Sequence, residues 1–578
     1  MKLLFSLVLL FAATAAPAAI HWEKWSDEVF ARARRENKFV LLDLEAVWCH
    51  WCHVMAETTY RDPAVMALVG DRYIAVRVDQ DSRPDLANRY EDYGWPATVV
   101  FAPDGTEIVK KRGYVAPARM AAMLQGIIAD PTPLATDEPP VATAVAGDLA
   151  ALREQLYRGY DDRAGGWGFS HKFLDWDVVE FAMREAGHGD PLAETRARTT
   201  LRLQRKLLDP AWGGVYQYSV GGTWDEPHFE KIMQMQAENL RIYALAYARW
   251  GDPDDLATAR AIHRYLRNFL TSPDGVVYTS QDADLVPGEH SAEYYALDDA
   301  GRRARGVPRV DRHIYARENG WVIAALVQLA EATGEAGYGV EAERAARWIL
   351  AHRSRGDGGF QHDETDAAGP YLGDTLAMGR AFLALHRLTQ RPEWREQAVA
   401  AAEFIATHFS RGDRPGYATA DTGRPTFPEP RPQYDENVGV ARFASALARV
   451  TGKPAHRAVA EPALRWILAP GVTAGRGFYV GGALLAAAEA NTEPAHVLVL
   501  GPKDDPVARA MFAAALRLPD QHKLVEWWDR REGPAPRGED IFPEMDQPAA
   551  FLCADGACSL PLTTTAALER RLARLGRR

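Results

Sequence analysis

Cys49-His50-Trp51-Cys52 is the stretch of this chain whose residue types and spacing can do chemistry by themselves. Two thiols separated by two residues suit thiol–disulfide exchange. One sulfur attacks a disulfide as a thiolate, and the other resolves the mixed disulfide. Three other chemistries fit the same residues. Cys49-x-x-Cys52-His53 matches the attachment pattern of a c-type haem. Four thiolates, with Cys553 and Cys558 added, would hold zinc. An inert structural disulfide would also span so short a gap. The chain has four cysteines, all in these two close pairs, so they are no general scaffold. Cys553 and Cys558 read as a local structural disulfide, or as a second redox pair that exchanges with the first.

The elements around the first pair decide how it would behave. Residues 39–44 form a nearly continuous apolar run, the pattern of a buried strand. Cys49 follows within a turn, and residues 52–69 read as one helix. The cysteines therefore stand at a helix N-terminus, where unpaired backbone N–H groups and the helix dipole favour a thiolate at Cys49. A protonated His50 would favour it further. Residues 25–38 read as a helix, 73–78 as a strand and 84–91 as a short helix. Two strands, 98–101 and 107–110, flank the turn Pro103-Asp104-Gly105, and 117–128 closes with a helix. The order is α-β-α-β-α-β-β-α. Asp43 lies in the apolar strand six residues before Cys49, Trp48 directly precedes Cys49, and Gly94-Trp95-Pro96 precedes the third strand. In these features the segment resembles the thioredoxins. That resemblance implies that Asp43 moves the resolving cysteine's proton and that Pro96 is a cis proline beside the disulfide.

Residues 1–19 read as a signal peptide: Lys2, an apolar run over 3–11, then Ala16-Pro17-Ala18 as a small-x-small cleavage site. Export to the periplasm or beyond the cell is the expectation. No later stretch is apolar for the roughly 20 residues a membrane span needs. The length of 578 residues calls for more than one domain, and 47% apolar residues suit large cores. A net charge of −11 without a basic run argues against nucleic-acid binding.

A thioredoxin-like domain is expected over 20–130, and a Pro- and Thr-rich linker over 131–148. The rest, 149–578, reads as helices that alternate between apolar all round and amphipathic. Between them recurs a glycine next to an aromatic: Gly165-Gly166-Trp167-Gly168-Phe169, Gly213-Gly214-Val215-Tyr216, Gly275-Val276-Val277-Tyr278, Gly358-Gly359-Phe360, Gly416-Tyr417 and Gly475-Arg476-Gly477-Phe478-Tyr479. Six such loops imply six helical hairpins closed into an α/α toroid. The fold class is thus multidomain, an α/β thioredoxin-like domain followed by an all-α (α/α)6 toroid. A small α/β insertion near the C-terminus, beginning with the strand-like 496–501, is expected to interrupt the last hairpins.

Polar and aromatic residues beside the Gly loops are candidates for lining a toroid cleft: Trp224, His228, Glu230, Gln281, Asp282, Asp284, Glu318, Asn319 and Asp435. Tryptophans with carboxylates suit a sugar, and glycoside hydrolysis needs two carboxyl groups. The alternative for each is helix capping and loop bonding.

Taken in order, Cys49-His50-Trp51-Cys52-His53-Val54-Met55, Val78-Asp79, Arg83-Pro84-Asp85, Gly94-Trp95-Pro96, Tyr218-Ser219-Val220, Pro227-His228-Phe229-Glu230-Lys231, Ser280-Gln281-Asp282-Ala283-Asp284 and Cys553 with Cys558-Ser559-Leu560-Pro561 resemble the spermatogenesis-associated protein 20 family. The resemblance implies a thioredoxin-like domain joined to a six-hairpin, glycosidase-like toroid. It departs at Gln234-Met235-Gln236, where many members carry Tyr-Asp-Asn. The expected activity is thiol–disulfide exchange on protein thiols or disulfides, with a carbohydrate or glycosylated substrate as the alternative. Neither needs a cofactor or a metal.

Overall fold

The computed structural model describes residues 19–91, 94–134, 148–366, 368–421, 429–534, 542–543, 545–554 and 556–575. The expected signal peptide, except its last residue, and positions 135–147 of the expected linker lie outside them. The chain divides into two compact units. Asp81–Arg89 groups with the second unit and Pro287–Glu289 with the first.

The first unit is built on a five-stranded sheet. In chain order its elements are β1 (Trp22–Glu23), α1 (Asp27–Glu36), β2 (Phe39–Glu45), α2 (His50–Glu57), α3 (Pro63–Arg72), β3 (Tyr73–Asp79), then, beyond the Pro84–Tyr90 helix, β4 (Ala97–Phe101), β5 (Glu107–Arg112) and α4 (Pro117–Ala129). The strand order is β1-β3-β2-β4-β5, with β1, β3 and β2 parallel and β4 and β5 antiparallel to their neighbours. Strand β2 is apolar almost throughout because both sheet faces are covered. Leu41 packs in one cluster with Met55, Val65 and Leu124 from the α2, α3 and α4 side. On the other face Phe30 of α1 meets Phe101 edge-on at 5.6 Å.

Two features depart from the expected order. A short strand, β1, adds to the sheet edge beside β3. The single helix expected over 52–69 is two helices with a 3-10 turn, Thr59–Arg61, between them. Pro63 is the reason, since its ring cannot continue a helix but suits a first turn. Asp62 caps the new start by accepting the N–H groups of Ala64 and Val65.

The second unit is a closed double ring. Six inner helices, Trp176–Gly187, Met233–Trp250, Ala316–Thr333, Leu372–Thr389, Tyr434–Thr451 and Gly481–Asn491, each contact the next, and the last contacts the first. Five outer helices, Pro191–Gln204, Pro253–Tyr265, Ala336–His352, Pro392–His408 and Pro454–Ile467, each follow and pack on their own inner helix. The sixth inner helix takes its outer partner from the start of the ring, Leu149–Arg158. The chain thus closes the toroid by packing its beginning on its end.

The Gly–aromatic loops follow outer helices and make the isolated bridges Tyr160↔Trp167, Leu208↔Val215, Thr271↔Val277, Ser354↔Phe360 and Ser410↔Tyr417. Their backbones are clamped by side chains of the next inner helix. Gln236 bonds both the N–H and the C=O of Val215, Asn319 those of Val277, and Asn437 those of Tyr417. Among the described residues the sixth copy makes no bridge; Phe478 instead lies beside Gly159.

A four-stranded α/β layer lies near the C-terminus. Ala495–Leu500 runs parallel to Lys523–Trp528 and antiparallel to Ala549–Ala554, and the Pro506–Leu516 helix connects the parallel pair. It follows the sixth inner helix rather than interrupting the hairpins, because the ring is already complete at Asn491.

Candidate functional site

Strand β2 ends at Glu45 and α2 starts at His50, so the intervening turn delivers Cys49 to the α2 N-cap. Cys49 and Cys52 form a disulfide with Cα atoms 5.3 Å apart. The Cys49 Sγ also accepts the N–H of Cys52 at 3.1 Å. This is the bond that would stabilise a thiolate at a helix start. Both cysteines and Trp48 are buried. Trp51 is instead 43% exposed, and it faces Tyr114 at 5.8 Å and His50 at 5.3 Å. Trp51 stands inside the motif, yet sequence reasoning gave it no role. The Trp95–Pro96 peptide is cis, and the next residue, Ala97, pairs with Leu44. Pro96 therefore lies at the end of β2 from which Cys49 departs.

Asp43 is buried, on the β2 face that α2 covers. It neighbours Arg77 in the parallel register and accepts a hydrogen bond from Arg77 Nε at 2.9 Å. Arg77 Nε is also 3.3 Å from Glu45, and its guanidinium stacks over Trp22 at 4.1 Å. Burial holds the Asp43 carboxyl above its usual range, although the charge of Arg77 opposes this. Sequence reasoning missed Arg77 and Glu45. The pairing crosses two strands, and only the strand register reveals it.

The toroid residues singled out from sequence gather at the N-terminal ends of inner helices. Most are engaged with the scaffold. Trp224 is buried and donates its indole N–H to Gly165 O at 3.1 Å. Asn319 spends its amide on Val277, and Gln281 accepts from Tyr265 OH at 3.0 Å. Asp282 and Asp284 are buried, with Asp282 Oδ1 accepting the N–H of Asp284. Glu318 is buried and paired with Arg317 at 2.7 Å. Asp435 stands half-exposed, 3.5 Å from Arg476. His228 and Glu230 differ. His228 stacks on Tyr218 at 4.5 Å, and its Nδ1 is 3.8 Å from Glu230 Oε2. That oxygen is buried and has no hydrogen-bond partner among the described residues.

Two buried lysines were also missed. Lys231 donates to Asp209 at 2.6 Å and to Gly213 O at 3.0 Å, and Arg302 joins the same Asp209 oxygen at 2.7 Å. Burial pushes the Lys231 ammonium down to about 8, although Asp209 opposes this. Lys172 likewise donates to Asp161 at 2.9 Å and to Gly168 O at 2.5 Å. An Asp four residues before Gly165-Gly166 and before Gly213-Gly214, with a Lys downstream, was the signal for this clamp. His362 is a further buried partner, bonding Asp374 at 2.9 Å. Asp374 and its hydrogen bond hold this imidazole up at about 9, although burial alone would lower it. At the far end of the chain, Cys553 and Cys558 face each other across the Ala549–Ala554 and Ala557–Cys558 strands and form their own disulfide.

Residues 8–129 match the family model Thioredox_DsbH, described as a protein of unknown function, DUF255. Spermatogenesis-associated protein 20 of Homo sapiens is 26% identical over 309 residues, which are 46% of this chain and 39% of the human protein. The chain is a relative of spermatogenesis-associated protein 20. It spans about two-fifths of the length of the curated relatives it matches, 42% for a Caenorhabditis elegans protein and 39% for the human one. Over the shorter redox segment, thiol:disulfide interchange protein DsbD 1 of Pseudomonas aeruginosa is 40% identical across 85 residues, 14% of each chain. Among solved structures, a cellobiose 2-epimerase from Spirochaeta thermophila covers 59% of this chain and 96% of its own at 13% identity, with a TM-score of 0.45. The thioredoxin-like reading of the first unit rests on that family model, and the toroid rests on the closed ring of helix contacts.

Proposed function

We propose that this relative of spermatogenesis-associated protein 20 is an exported thiol–disulfide oxidoreductase, and that its toroid selects or holds the protein substrate. The observation that carries the reading is Cys49 at the α2 N-cap, its sulfur bonded to the Cys52 N–H and to the Cys52 sulfur. In the reducing direction, the Cys49 thiolate attacks a substrate disulfide and releases one substrate thiolate, which takes up a proton. Cys52 then loses its proton to Asp43 and attacks the mixed disulfide. The second substrate sulfur leaves as a thiolate and takes up the proton that Asp43 received, and Cys49–Cys52 is oxidised. Asp43 suits proton acceptance because burial raises its carboxyl while Arg77 keeps it from being left uncompensated. The likeness to DsbD 1 supports the same chemistry. The test is insulin reduction by the full chain. Cys49→Ser should abolish it, and activity that survives the change rejects the assignment.

The isolated Glu230 oxygen favours a second reading, a carbohydrate or glycosylated ligand bound at the toroid loops beside His228 and Tyr218. A glycan screen discriminates. Saturable binding lost in Glu230→Gln supports it, and no binding to any glycan sinks it.

A further inference from the structure

The toroid repeats are not equivalent, and one junction differs from both of its neighbours. In two of the loops the leading glycine seats directly on the next outer helix. A Cβ on Gly213 would lie 2.3 Å from Ala261 O, and one on Gly358 would lie 2.5 Å from Ala400 O. Ala261 and Ala400 are each the ninth residue of their helices, Pro253–Tyr265 and Pro392–His408. The ninth residue of the helix between them, Ala336–His352, is Arg344. Its guanidinium lies against the single glycine of the facing loop, Gly275. The preceding outer helix also ends irregularly, in a π turn over Leu266–Leu270.

A cleft of about 330 Å3 separates Pro253–Tyr265 and its π turn from Ala336–His352. An apolar cavity of about 150 Å3 already accepts benzene, so this one has room for a larger body. Leu266, Val277, Val322 and Leu326 give it an apolar lining, while Arg267 and Arg344 bring two cations. The single acid of the lining, Glu341, is bonded by His263 Nε2 at 2.8 Å and lies 4.0 Å from Arg267 Nη1, so two arginines and a histidine face one carboxylate. Ser272 Oγ, in the same lining, is buried and has no hydrogen-bond partner among the described residues. A buried hydroxyl without a partner is costly unless a ligand or water completes it.

We propose that this cleft is a binding site for a medium-chain organic carboxylate. The apolar lining takes the chain, Arg344 and Arg267 take the charge, and Ser272 adds a hydrogen bond. The site is built from residues of the second unit alone and does not depend on the redox reading. The test is calorimetric titration of the full chain with octanoate, with octanol and acetate as partial mimics. Octanoate should bind saturably at one site, and each mimic about tenfold or more weaker, since each lacks one half of the recognition. Arg344→Ala should weaken octanoate about tenfold, with Arg344→Lys recovering part of the loss. Val340→Trp, at an exposed position of the same lining, should block the cleft without touching the core. Octanol binding as tightly as octanoate, affinity unchanged in both Arg344→Ala and Val340→Trp, or no octanoate binding at millimolar concentration would each overturn the proposal.

Discussion

Arg77 Nε reaches Asp43 at 2.9 Å and Glu45 at 3.3 Å, so one cation serves two carboxylates behind the disulfide. One charge cannot fully compensate both, and Glu45 bears the consequence. Burial, and then the charge of Asp43, push its carboxyl up to about 7, although Arg77 opposes the rise. In the unfolded chain the same group titrates at about 4.3. Between those values the folded state binds more protons than the unfolded one, so stability falls as pH rises through this window. Glu45→Gln should remove that slope. Its urea unfolding should match the parent near pH 4 and exceed it by about 1–2 kcal/mol at pH 8, a value kept below the full shift because Glu45 is a quarter exposed. Parallel pH profiles for the two proteins would refute the assignment. The sequence exposes Cys49, Cys52 and Asp43 because their relation is local: strand, turn, helix start. It hides Arg77, whose meeting with Asp43 depends on the register of two strands 34 residues apart.

The loops of the toroid show what element-scale reading catches and what it loses. The Gly–aromatic pairs stand out in the sequence because each marks the return from an outer helix to the next inner one. The clamps, Gln236, Asn319 and Asn437, are harder to see, because a polar residue such as Asn319 reads as a cleft residue until its partner is known. All three bond the backbone of the preceding loop. The glycines carry a testable distinction. Gly356 and Gly358 share one loop and similar backbone angles, with φ +83° and +93°. A Cβ at Gly356 meets nothing within 4 Å, whereas one at Gly358 falls 2.5 Å from Ala400 O. Gly356→Ala should therefore cost only the left-handed backbone penalty, about 1–2 kcal/mol. Gly358→Ala must also push the loop off the Pro392–His408 helix and should cost at least about 2 kcal/mol more. Equal losses in denaturant unfolding would show that the loop does not seat on that helix.

Closure of the ring is a property of the whole second unit, and no local pattern announces it. The outer partner of the last inner helix is the first helix of the toroid, more than 300 residues earlier. The seam is reinforced along the axis by charge. Arg442, on the fifth inner helix, donates to Glu489 on the sixth at 2.8 Å, to Asp177 on the first at 3.3 Å, and to Glu180 beside it. Arg241, on the second inner helix, reaches the same Glu180 at 2.6 Å and Glu238 at 2.6 Å. Burial alone would raise Glu180, yet Arg442 and Arg241 hold its carboxyl down at about 2. Arg442→Met should cost about 3–5 kcal/mol, because Glu489 and Glu180 lose a cation while still buried. The loss should also be local. Hydrogen exchange should speed first in Leu149–Arg158, Trp176–Gly187 and Gly481–Asn491, the helices that meet at the seam, while Ala316–Thr333 and Leu372–Thr389 keep their protection. A uniform rise in exchange around the ring would mean that Arg442 stabilises the toroid as a whole without holding its ends together.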